Sequence, residues 1–251
     1  MKAPSTSIIT CAYNHLRGLS VTIGSVLAQR DGDYEYLILD DGSTDGTWPV
    51  LMRWARRYPQ IRLLRHENNE GIVKSRNRLL EHCQGRYVSV IDAGDLLLPG
   101  KTGDHRRVLQ ANESVGVVAG RAASKVLGGA LAWTVLPGGV YVPGCDIAQP
   151  YEFAVSAITY RKSALVGVGG FSSAVVCGEA IDVFLKIGDS FSQHYEPRFA
   201  CIKFRNLDSV SQRYSQEHHR QITRRLLAST LERRFGARAK EVFLEHRLFK
   251  P

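Results

Sequence analysis

The first 91 residues alternate between short apolar runs and segments of helical periodicity, and this alternation constrains the fold more than any other feature. Residues 7–13 are β-branched and apolar and too few for a helix, so they predict a buried strand. Further strands are predicted at 34–39, 61–64 and 87–91, and the helices between them begin near residues 16, 47 and 72. Successive strand and helix units predict an α/β protein with a mostly parallel central sheet flanked by helices.

The second half of the chain is less regular. From Gly116 the alternation weakens into a glycine-rich stretch, which predicts loops. Regular patterns return with a predicted helix at 179–187 and a predicted strand at 199–204. No internal repeat is present.

The composition excludes several other classes of protein. Hydrophobic residues make up 44% and charged residues 23% of the 251 residues, which is typical of a folded globular chain and not of a disordered, collagen-like or coiled-coil one. The most apolar stretch, 117–142, is interrupted by Arg121 and Lys125, so no membrane-spanning helix is predicted. Residues 1–10 lack the apolar core of a signal peptide, which predicts a cytoplasmic protein. The five cysteines lack ligand-like spacing, which predicts free thiols.

Polar residues follow three of the predicted strands. They are Tyr13 and Asn14 after the first, Asp40 and Asp41 with the run GSTDG after the second, and DAGD (92–95) after the fourth. Ligands of such sheets bind beyond the carboxyl ends of the strands. A turn, with Ser43 or Asp45 capping the next helix, explains GSTDG but does not require the acidic pair before it. Buried carboxylates without partners are unfavourable, so a hydrogen-bonding ligand is predicted at this edge.

Short motifs occur in a fixed order over residues 5–211. They are SIITCAYN (7–14), SVLAQ (25–29), YLILDDGSTDGT (36–47), ENNEGIVKSRN (67–77), GRYVSVIDAGD (85–95), GGF (169–171) and GEAIDVFLKI (178–187). As an ordered set they resemble the family 2 glycosyltransferases, inverting enzymes with the nucleotide-sugar-binding fold called GT-A. The resemblance implies that residues 1–115 bind the donor and that residues 116–211 of the same domain bind the acceptor.

The resemblance also implies roles for single residues. Tyr13 would lie against the nucleobase, Asp41 would hydrogen-bond the base or ribose, and Arg76 would frame the nucleotide pocket. Asp92 would face the sugar and the diphosphate. An aromatic face stacks on a base and a carboxylate accepts from a ribose hydroxyl, so these roles suit the residues' chemistry. For Tyr13 the alternative is packing in the core.

The chain departs from the family pattern at three positions. Family members commonly read Asp-x-Asp-Asp at 92–95, so Gly94 stands where a metal-holding carboxylate is usual. Their helix motif Glu-Asp-x-Asp reads EAID at 179–182, so Ala180 replaces the general base. A histidine that often completes the metal site is absent from 204–211.

Neighbouring acidic residues are the predicted substitutes. Asp92 and Asp95 are expected to hold a divalent metal, Mn²⁺ or Mg²⁺, and Glu179, with Asp182 second, is the expected base. Alternatively, Asp95 caps the helix that begins near Pro99, and Asp182 anchors its own helix. Positive charge for the departing diphosphate would then come from basic side chains, for which the candidates are Lys101, Arg161 and Arg205.

Positive charge is concentrated at the C-terminus. The formal net charge is +9, and ten basic against four acidic residues lie from Arg213 onward. Apolar positions at 222–235 predict a basic amphipathic helix, with a second segment at 240–250 beyond Gly236. We interpret 212–251 as a helical tail that attaches to an anionic membrane surface, where lipid-linked acceptors reside; the alternative is that it packs on the domain. No nucleic-acid motif accompanies the charge.

Together these observations predict a glycosyltransferase of polysaccharide or glycolipid biosynthesis. It would transfer a sugar, with inversion, from a nucleoside diphosphate donor to a hydroxyl of a glycan or lipid-linked acceptor, at the inner face of the membrane. The altered positions Gly94 and Ala180 support a second hypothesis. In it the protein is a catalytically silent relative that binds nucleotide or acts as a scaffold.

Overall fold

The computed structural model describes residues 3–126, 131–134, 139–141, 154–173, 178–205 and 216–238. The strands are β1 (Thr6–Ala12), β2 (Tyr34–Asp41), β3 (Ile61–His66), β4 (Tyr87–Val90), β5 (Leu96–Leu97), β6 (Val115–Val126), β7 (Leu131–Thr134), β8 (Gly139–Tyr141), β9 (Ile158–Arg161) and β10 (Ser192–Arg205). The helices are α1 (Leu16–Leu27), α2 (Thr47–Arg57), α3 (Ile72–His82), α4 (Lys101–Ala111), α5 (Lys162–Gly167), α6 (Glu179–Ile187) and α7 (Gln216–Phe235). Short 3-10 turns lie at Val155–Ala157 and Gly236–Arg238.

These strands form one open sheet in the order β3-β2-β1-β4-β9-β6-β10-β5, with β7 beside β6 and β8 beside β10. The strands β3, β2, β1 and β4 run parallel. Beyond β4 the sheet is mixed, because β9 pairs antiparallel with both β4 and β6, whereas β6 and β10 are parallel. The predicted α/β class with a sheet flanked by helices is confirmed.

Alternate residues of the parallel strands contact different helices. Ile8 and Ile38 lie in one apolar cluster with residues of α1 and α2, whereas Ile9 and Leu39 lie in the other with residues of α3. Successive side chains of a strand point to opposite faces, so a strand buried on both faces is apolar throughout. This is why the short apolar runs of the sequence are the central strands. Because β1, β2 and β4 run parallel, the polar residues that follow these strands come together at one edge of the sheet.

The glycine-rich stretch after residue 115 begins with a long strand, so the prediction of loops there is wrong for β6. Its glycines are required by close packing. A Cβ added at Gly116 would lie 2.6 Å from Cβ of Phe191, and one at Gly120 would lie 2.6 Å from Cβ of Ala200. The small residues let neighbouring elements pack against β6, and tertiary contact here outweighs glycine's low strand propensity.

Two of the basic residues considered for the diphosphate lie in the core. The ammonium of Lys101 is buried and donates to Oγ of Ser89 at 2.6 Å and to Oγ1 of Thr159 and the carbonyl of Ile158, each at 2.9 Å. The buried guanidinium of Arg161 donates to backbone carbonyls, which are those of Leu109, Asn112 and Val115. Both side chains hold helices and strands together, so neither serves a ligand at the edge. The side chain of Arg205 lies outside the described part of the structure.

The buried ammonium of Lys101 makes stability depend on pH. Burial lowers the pKa of Lys101 from 10.5 to about 7. Between these two values the unfolded chain binds a proton that the native protein does not, so the free energy of unfolding rises with pH, by at most about 1.4 kcal/mol per pH unit. We expect the stability of the wild type, measured by urea unfolding and compared with Lys101→Met, to increase from pH 6.5 to pH 9. The difference in stability between the wild type and Lys74→Met, a substitution of an exposed residue, should not change with pH. If this difference changes with pH as much as the difference between the wild type and Lys101→Met, the prediction is contradicted.

The helix α7 packs back on the domain. It contacts α6, and its Leu231 is buried. Asp189 accepts from two of its arginines, from Nε of Arg234 at 2.5 Å and from Nη2 of Arg233 at 2.9 Å. The packing alternative is therefore observed for α7. The predicted segment 240–250 lies outside the described residues. Among the helices that the structure describes, none is both long and apolar enough to cross a bilayer.

Candidate functional site

The centre of the candidate site is the buried guanidinium of Arg76 on α3. Its Nη2 donates to Oδ1 of Asp92 at 2.8 Å, and its Nη1 donates to Oε1 of Glu179. Its Cζ lies 5.4 Å from the ring centroid of Phe171, which is close enough for a cation–π interaction. Asp92 follows β4 and Glu179 begins α6, so the cluster joins three elements at the carboxyl edge of the parallel strands.

The three charges stabilise one another. Burial lowers the pKa of Arg76, but the carboxylates of Glu179 and Asp92 raise it more, so the guanidinium stays protonated. Burial raises the pKa of Glu179, but the charge of Arg76 outweighs this effect and holds the pKa below its usual value. Glu179 is thus ionised at neutral pH. One cation lies between two carboxylates, which leaves the cluster with a net negative charge.

Both carboxylates have access to the surface. The side chain of Asp92 is 32% exposed and that of Glu179 is 14% exposed, whereas that of Arg76 is 4% exposed. The second oxygen of Asp92, Oδ2, has no hydrogen-bond partner among the described residues. The sequence predicted these three residues separately, two for the donor and one as base. The structure brings them into direct contact.

Tyr13 lies at the carboxyl end of β1, where its side chain is 46% exposed. The alternative that it packs in the core is therefore wrong. The next residue, Asn14, has a positive φ of 46° and connects the strand end to the 42–46 turn. Its backbone N–H donates to Oγ of Ser43 at 2.9 Å, and its Oδ1 accepts from the N–H of Thr44 at 2.8 Å. The exposed aromatic ring is thus held on a well-bonded turn.

Asp45 is the capping residue of this turn. It accepts from the N–H of Thr47 at 3.0 Å and from the N–H of Leu16 at 3.1 Å, and so caps both α1 and α2. Burial raises its pKa, but these hydrogen bonds outweigh burial and lower the pKa of Asp45 below its usual value. Of the two predicted caps, Asp45 holds the helices, and Ser43 accepts from Asn14 instead.

Asp41 is buried and fully hydrogen-bonded within the protein. Its Oδ1 lies 2.7 Å from Nδ1 of His66 and accepts from the N–H of Glu70 at 2.9 Å, and its Oδ2 accepts from the N–H of Gly71 at 2.9 Å. Asp40 is also buried, and its Oδ2 lies 3.1 Å from Nε of Arg65. The argument that this acidic pair requires a ligand for its partner is therefore wrong for Asp41, whereas neither carboxylate oxygen of Asp40 has a hydrogen-bond partner among the described residues. Asp41 instead holds the 67–71 loop against the end of β2.

The carboxyl group of Asp95 is buried and hydrogen-bonded within the protein. It is 3% exposed, its Oδ2 accepts from Oγ of Ser156 at 2.6 Å, and its Oδ1 accepts from the N–H of Phe204 at 3.3 Å. Burial, followed by the charge of Asp92, raises its pKa to about 7. Because α4 begins at Lys101, the residue does not cap that helix either. Its contacts connect the loop to β10, and they give no support to its predicted role as a metal ligand.

Asp182, the second predicted base, has its partner within its own helix. Its Oδ2 accepts from Nζ of Lys186 at 2.6 Å, one turn along α6, and its side chain is 8% exposed. Among the described residues, the ion pair of Asp182 therefore lies within its own helix, and it is not made with a neighbouring element or with Arg76. Glu179 is therefore the one of the two predicted bases that lies in the cluster.

His15 is a residue of this edge that the sequence reasoning missed. It follows Asn14, and its imidazole lies between Gly18 and Gly94. Burial lowers its pKa, and the charges of Asp45 and Asp92 oppose this shift. A signal was present in the sequence, because a histidine stands directly after a strand that ends at the predicted site. Its contact with Gly94, however, joins residues 79 positions apart and is a tertiary feature.

A divalent metal would have few protein ligands here. The described residues contain no group of three His, Cys, Asp or Glu side chains that could hold one. Asp92 offers one free oxygen, and a carboxylate together with substrate phosphates is a usual arrangement for a metal that keeps several of its waters. The residues present therefore fit a metal that is bound together with a diphosphate.

Comparison with known proteins places the chain among glycosyltransferases. The family model described as "Glycosyl transferase family 2" matches residues 7–154. A protein named as the teichuronic acid biosynthesis glycosyltransferase TuaG of Bacillus subtilis is 39% identical over 92 residues, which are 37% of this chain and 36% of TuaG. EpsE of B. subtilis, named as a glycosyltransferase, is 28% identical over 215 residues, which are 84% of this chain and 77% of EpsE.

Solved structures have the same fold. TarS of S. aureus in complex with UDP has a TM-score of 0.75 at 17% identity, over 98% of this chain and 72% of that one. The mannosyltransferase PcManGT of Pyrobaculum calidifontis, in complex with GDP-Man and Mn²⁺, has a TM-score of 0.67 at 18% identity, over 98% of this chain and 70% of that one. The GT-A fold is thus confirmed. Because the family model spans more than half of the residues, this chain belongs to glycosyl transferase family 2.

Proposed function

We propose that this protein transfers a sugar from a nucleoside diphosphate donor, with inversion, to a hydroxyl of a glycan or lipid-linked acceptor. The observation that carries this proposal is the cluster of Arg76 with Asp92 and Glu179, at the same carboxyl edge of the sheet as the exposed Tyr13. The names of the solved neighbours, which include UDP and GDP-Man complexes, support a nucleotide-sugar donor. The teichuronic acid name of TuaG supports a glycan product.

Donor binding is assigned to the strand ends. The ring of Tyr13 stacks on the nucleobase, since its exposed face offers the contact that a planar base prefers. Asp41 acts through the 67–71 loop, whose backbone it holds in place beside the base and ribose. Arg76 holds Asp92 at the sugar and diphosphate, and so positions the donor without contacting solvent itself.

Glu179 is the proposed base. In the transfer, the acceptor oxygen forms a bond to the anomeric carbon as the bond from that carbon to the phosphate oxygen breaks, and the hydroxyl proton passes to Glu179. The ionised state held by Arg76 makes Glu179 ready to accept the proton, although its lowered pKa makes it a weaker base. A divalent metal, held by Asp92, supplies positive charge to the departing diphosphate when bound.

The tail has a more limited membrane role than its charge implies. Arg233 and Arg234 are paired with Asp189, so the proposed contact with an anionic membrane surface rests, among the described residues of α7, on the exposed Arg225. Each basic residue near such a surface contributes about 1 kcal/mol. A peripheral position of the protein at a membrane therefore remains part of the proposal.

Thermal unfolding with a panel of nucleoside diphosphates, with and without Mn²⁺, tests the proposal. UDP or GDP should raise the Tm of the wild type by mass action. Tyr13→Ala should weaken the binding roughly 5- to 150-fold, the equivalent of about 1–3 kcal/mol of stacking. The matched control is Tyr58→Ala, at the end of α2, where Tyr58 stacks on Trp54. Absence of any nucleotide effect would overturn the proposal, and binding of a nucleotide whose sugar donors are never consumed would identify a catalytically silent relative.

A further inference from the structure

An open groove lies between α1 and α2, on the face of the sheet opposite to α3. Its volume is about 510 Å³, which is within the range of small-molecule sites. The residues that line it include Leu16 of α1 and, from α2 and the position after it, Val50, Arg53, Trp54, Arg57 and Tyr58. Positions 50, 53, 54 and 57 are spaced by three or four residues and so lie on one side of their helix. The groove therefore runs along α2.

The groove begins at the edge of the sheet that carries the candidate site. Leu16 is the first residue of α1 and comes directly after residues 13–15, which follow β1. Tyr58, at the other end, comes directly after α2, whose 11 residues span about 16 Å at the usual helical rise. No residue of the Arg76 cluster lines the groove. A ligand in the groove would therefore lie beside the candidate site without occupying it.

The groove carries positive charge that is not neutralised within the described residues. Neither α1 nor α2 contains Asp or Glu. The exposed Arg53 and Arg57 make no ion pair in the described part of the chain. Asp45, which lies between the two helices in sequence, accepts from the N–H groups of Leu16 and Thr47 instead. Because a guanidinium offers a fork of donors that matches a carboxylate or a phosphate, the two arginines suit an anionic ligand.

Aromatic rings stand beside these guanidiniums. The rings of Trp54 and Tyr58 are stacked with their centroids 5.5 Å apart, and Cζ of Arg57 lies 5.7 Å from the ring centroid of Tyr58. Both aromatic side chains are half-buried, because they pack against the apolar cluster that contains Ile8 and Ile38. Aromatic surface next to charged donors suits a ligand that has both apolar C–H faces and anionic groups. Sugar rings that carry carboxylates or phosphates have both.

We propose that this groove binds an acidic glycan, one that carries carboxylate or phosphate groups, and holds it beside the candidate site. The sugar rings lie against Trp54 and Tyr58, and the anionic groups accept from Arg53 and Arg57. This inference rests on the proposed function for the nature of the ligand, since a transferase acting on glycans brings such a chain to this edge. A groove is concave and a bilayer surface is flat, so a glycan chain fits here better than an anionic membrane does.

Isothermal titration calorimetry of the full chain tests the proposal. The probes are oligogalacturonate and phosphorylated dextran, with methyl-esterified oligogalacturonate and plain dextran as their neutral counterparts. The wild type should bind an acidic probe more tightly than its counterpart. Arg53→Gln combined with Arg57→Gln should weaken that binding about tenfold or more, the usual effect of losing a hydrogen bond to a charged group. Tyr58→Leu, which removes the ring but keeps an apolar side chain, should weaken it roughly 2- to 10-fold.

The matched control is Arg56→Gln. This arginine is exposed on the same helix but does not line the groove, so the variant should bind the acidic probe as the wild type does. Circular dichroism and the Tm of each variant verify that it is folded.

Several outcomes would overturn the inference. They are equal binding by the wild type and the double arginine variant, and equal binding of acidic and neutral probes. Polyphosphate that binds as tightly as the glycans, with no effect of Tyr58→Leu, would show a basic patch without preference for sugars. Tighter binding to phosphatidylglycerol vesicles than to either glycan would assign the groove to a membrane.

Titration of the same variants with UDP and GDP separates this inference from the proposed function. If a nucleotide binds and neither acidic glycan does, the inference fails and the proposed function stands. If an acidic glycan binds through Arg53 and Arg57 but no nucleotide binds, the proposed function fails and the assignment of the groove stands.

Discussion

Replacing Arg76 with methionine should destabilise the protein by about 3–5 kcal/mol, the cost of removing one partner from a buried charge network. The substitution leaves Oδ1 of Asp92 and Oε1 of Glu179 without their cation. Asp92 is partly exposed, and solvent screening of its charge places the expected loss toward the lower value. Urea unfolding measures it. On the same helix, the exposed Lys74→Met removes a surface pair with Glu70 and should cost less than about 1 kcal/mol.

A double substitution separates the charge effect from lost packing. If uncompensated charge is the main cost, Arg76→Met combined with Glu179→Gln should be less destabilised than the sum of the two single variants. Simple additivity would show that Arg76 stabilises chiefly through its packing on Phe171. A loss below about 1 kcal/mol in the Arg76→Met single variant would contradict the central role given to this guanidinium.

Glu179→Gln should lower the rate of donor consumption by about 10²- to 10⁴-fold, the usual contribution of a general base. Glutamine retains an oxygen that accepts from Nη1 of Arg76, so the fold and nucleotide affinity should change little. The rate is measured as UDP or GDP release from the sugar donor whose nucleotide stabilises the protein. Because the pKa of Glu179 is lowered from 4.5, the rate should decline on acidification only below pH 4.5.

Asp182→Asn is the matched control for this prediction. It removes a carboxylate from the same helix one turn away, where the partner is Lys186 and not Arg76. Its rate should stay near that of the wild type. An unchanged rate in Glu179→Gln, or a larger loss in Asp182→Asn than in Glu179→Gln, would assign the proton transfer to another group.

Local pattern was sufficient to locate most of the secondary structure. The predicted helix 179–187 coincides with α6, and the helix predicted to begin near residue 72 is α3, which begins at Ile72. Periodicity identifies such elements because an apolar face must meet the core. The long strand β6 was missed because its glycines have low strand propensity, and they are tolerated there only through contact with Phe191 and Ala200.

By itself the sequence determined the fold class, the edge at which polar residues gather and, through its motifs, the family. Only the tertiary structure decided how the charges there are partnered. It gave Asp41, Asp95 and Asp182 protein partners, joined Glu179 to Arg76 across 103 positions, and set His15 against Gly94. The physical reason is that periodicity places a side chain on a face of its own element. Whether a buried carboxylate has a hydrogen-bond donor or a free oxygen depends on which distant element packs against it.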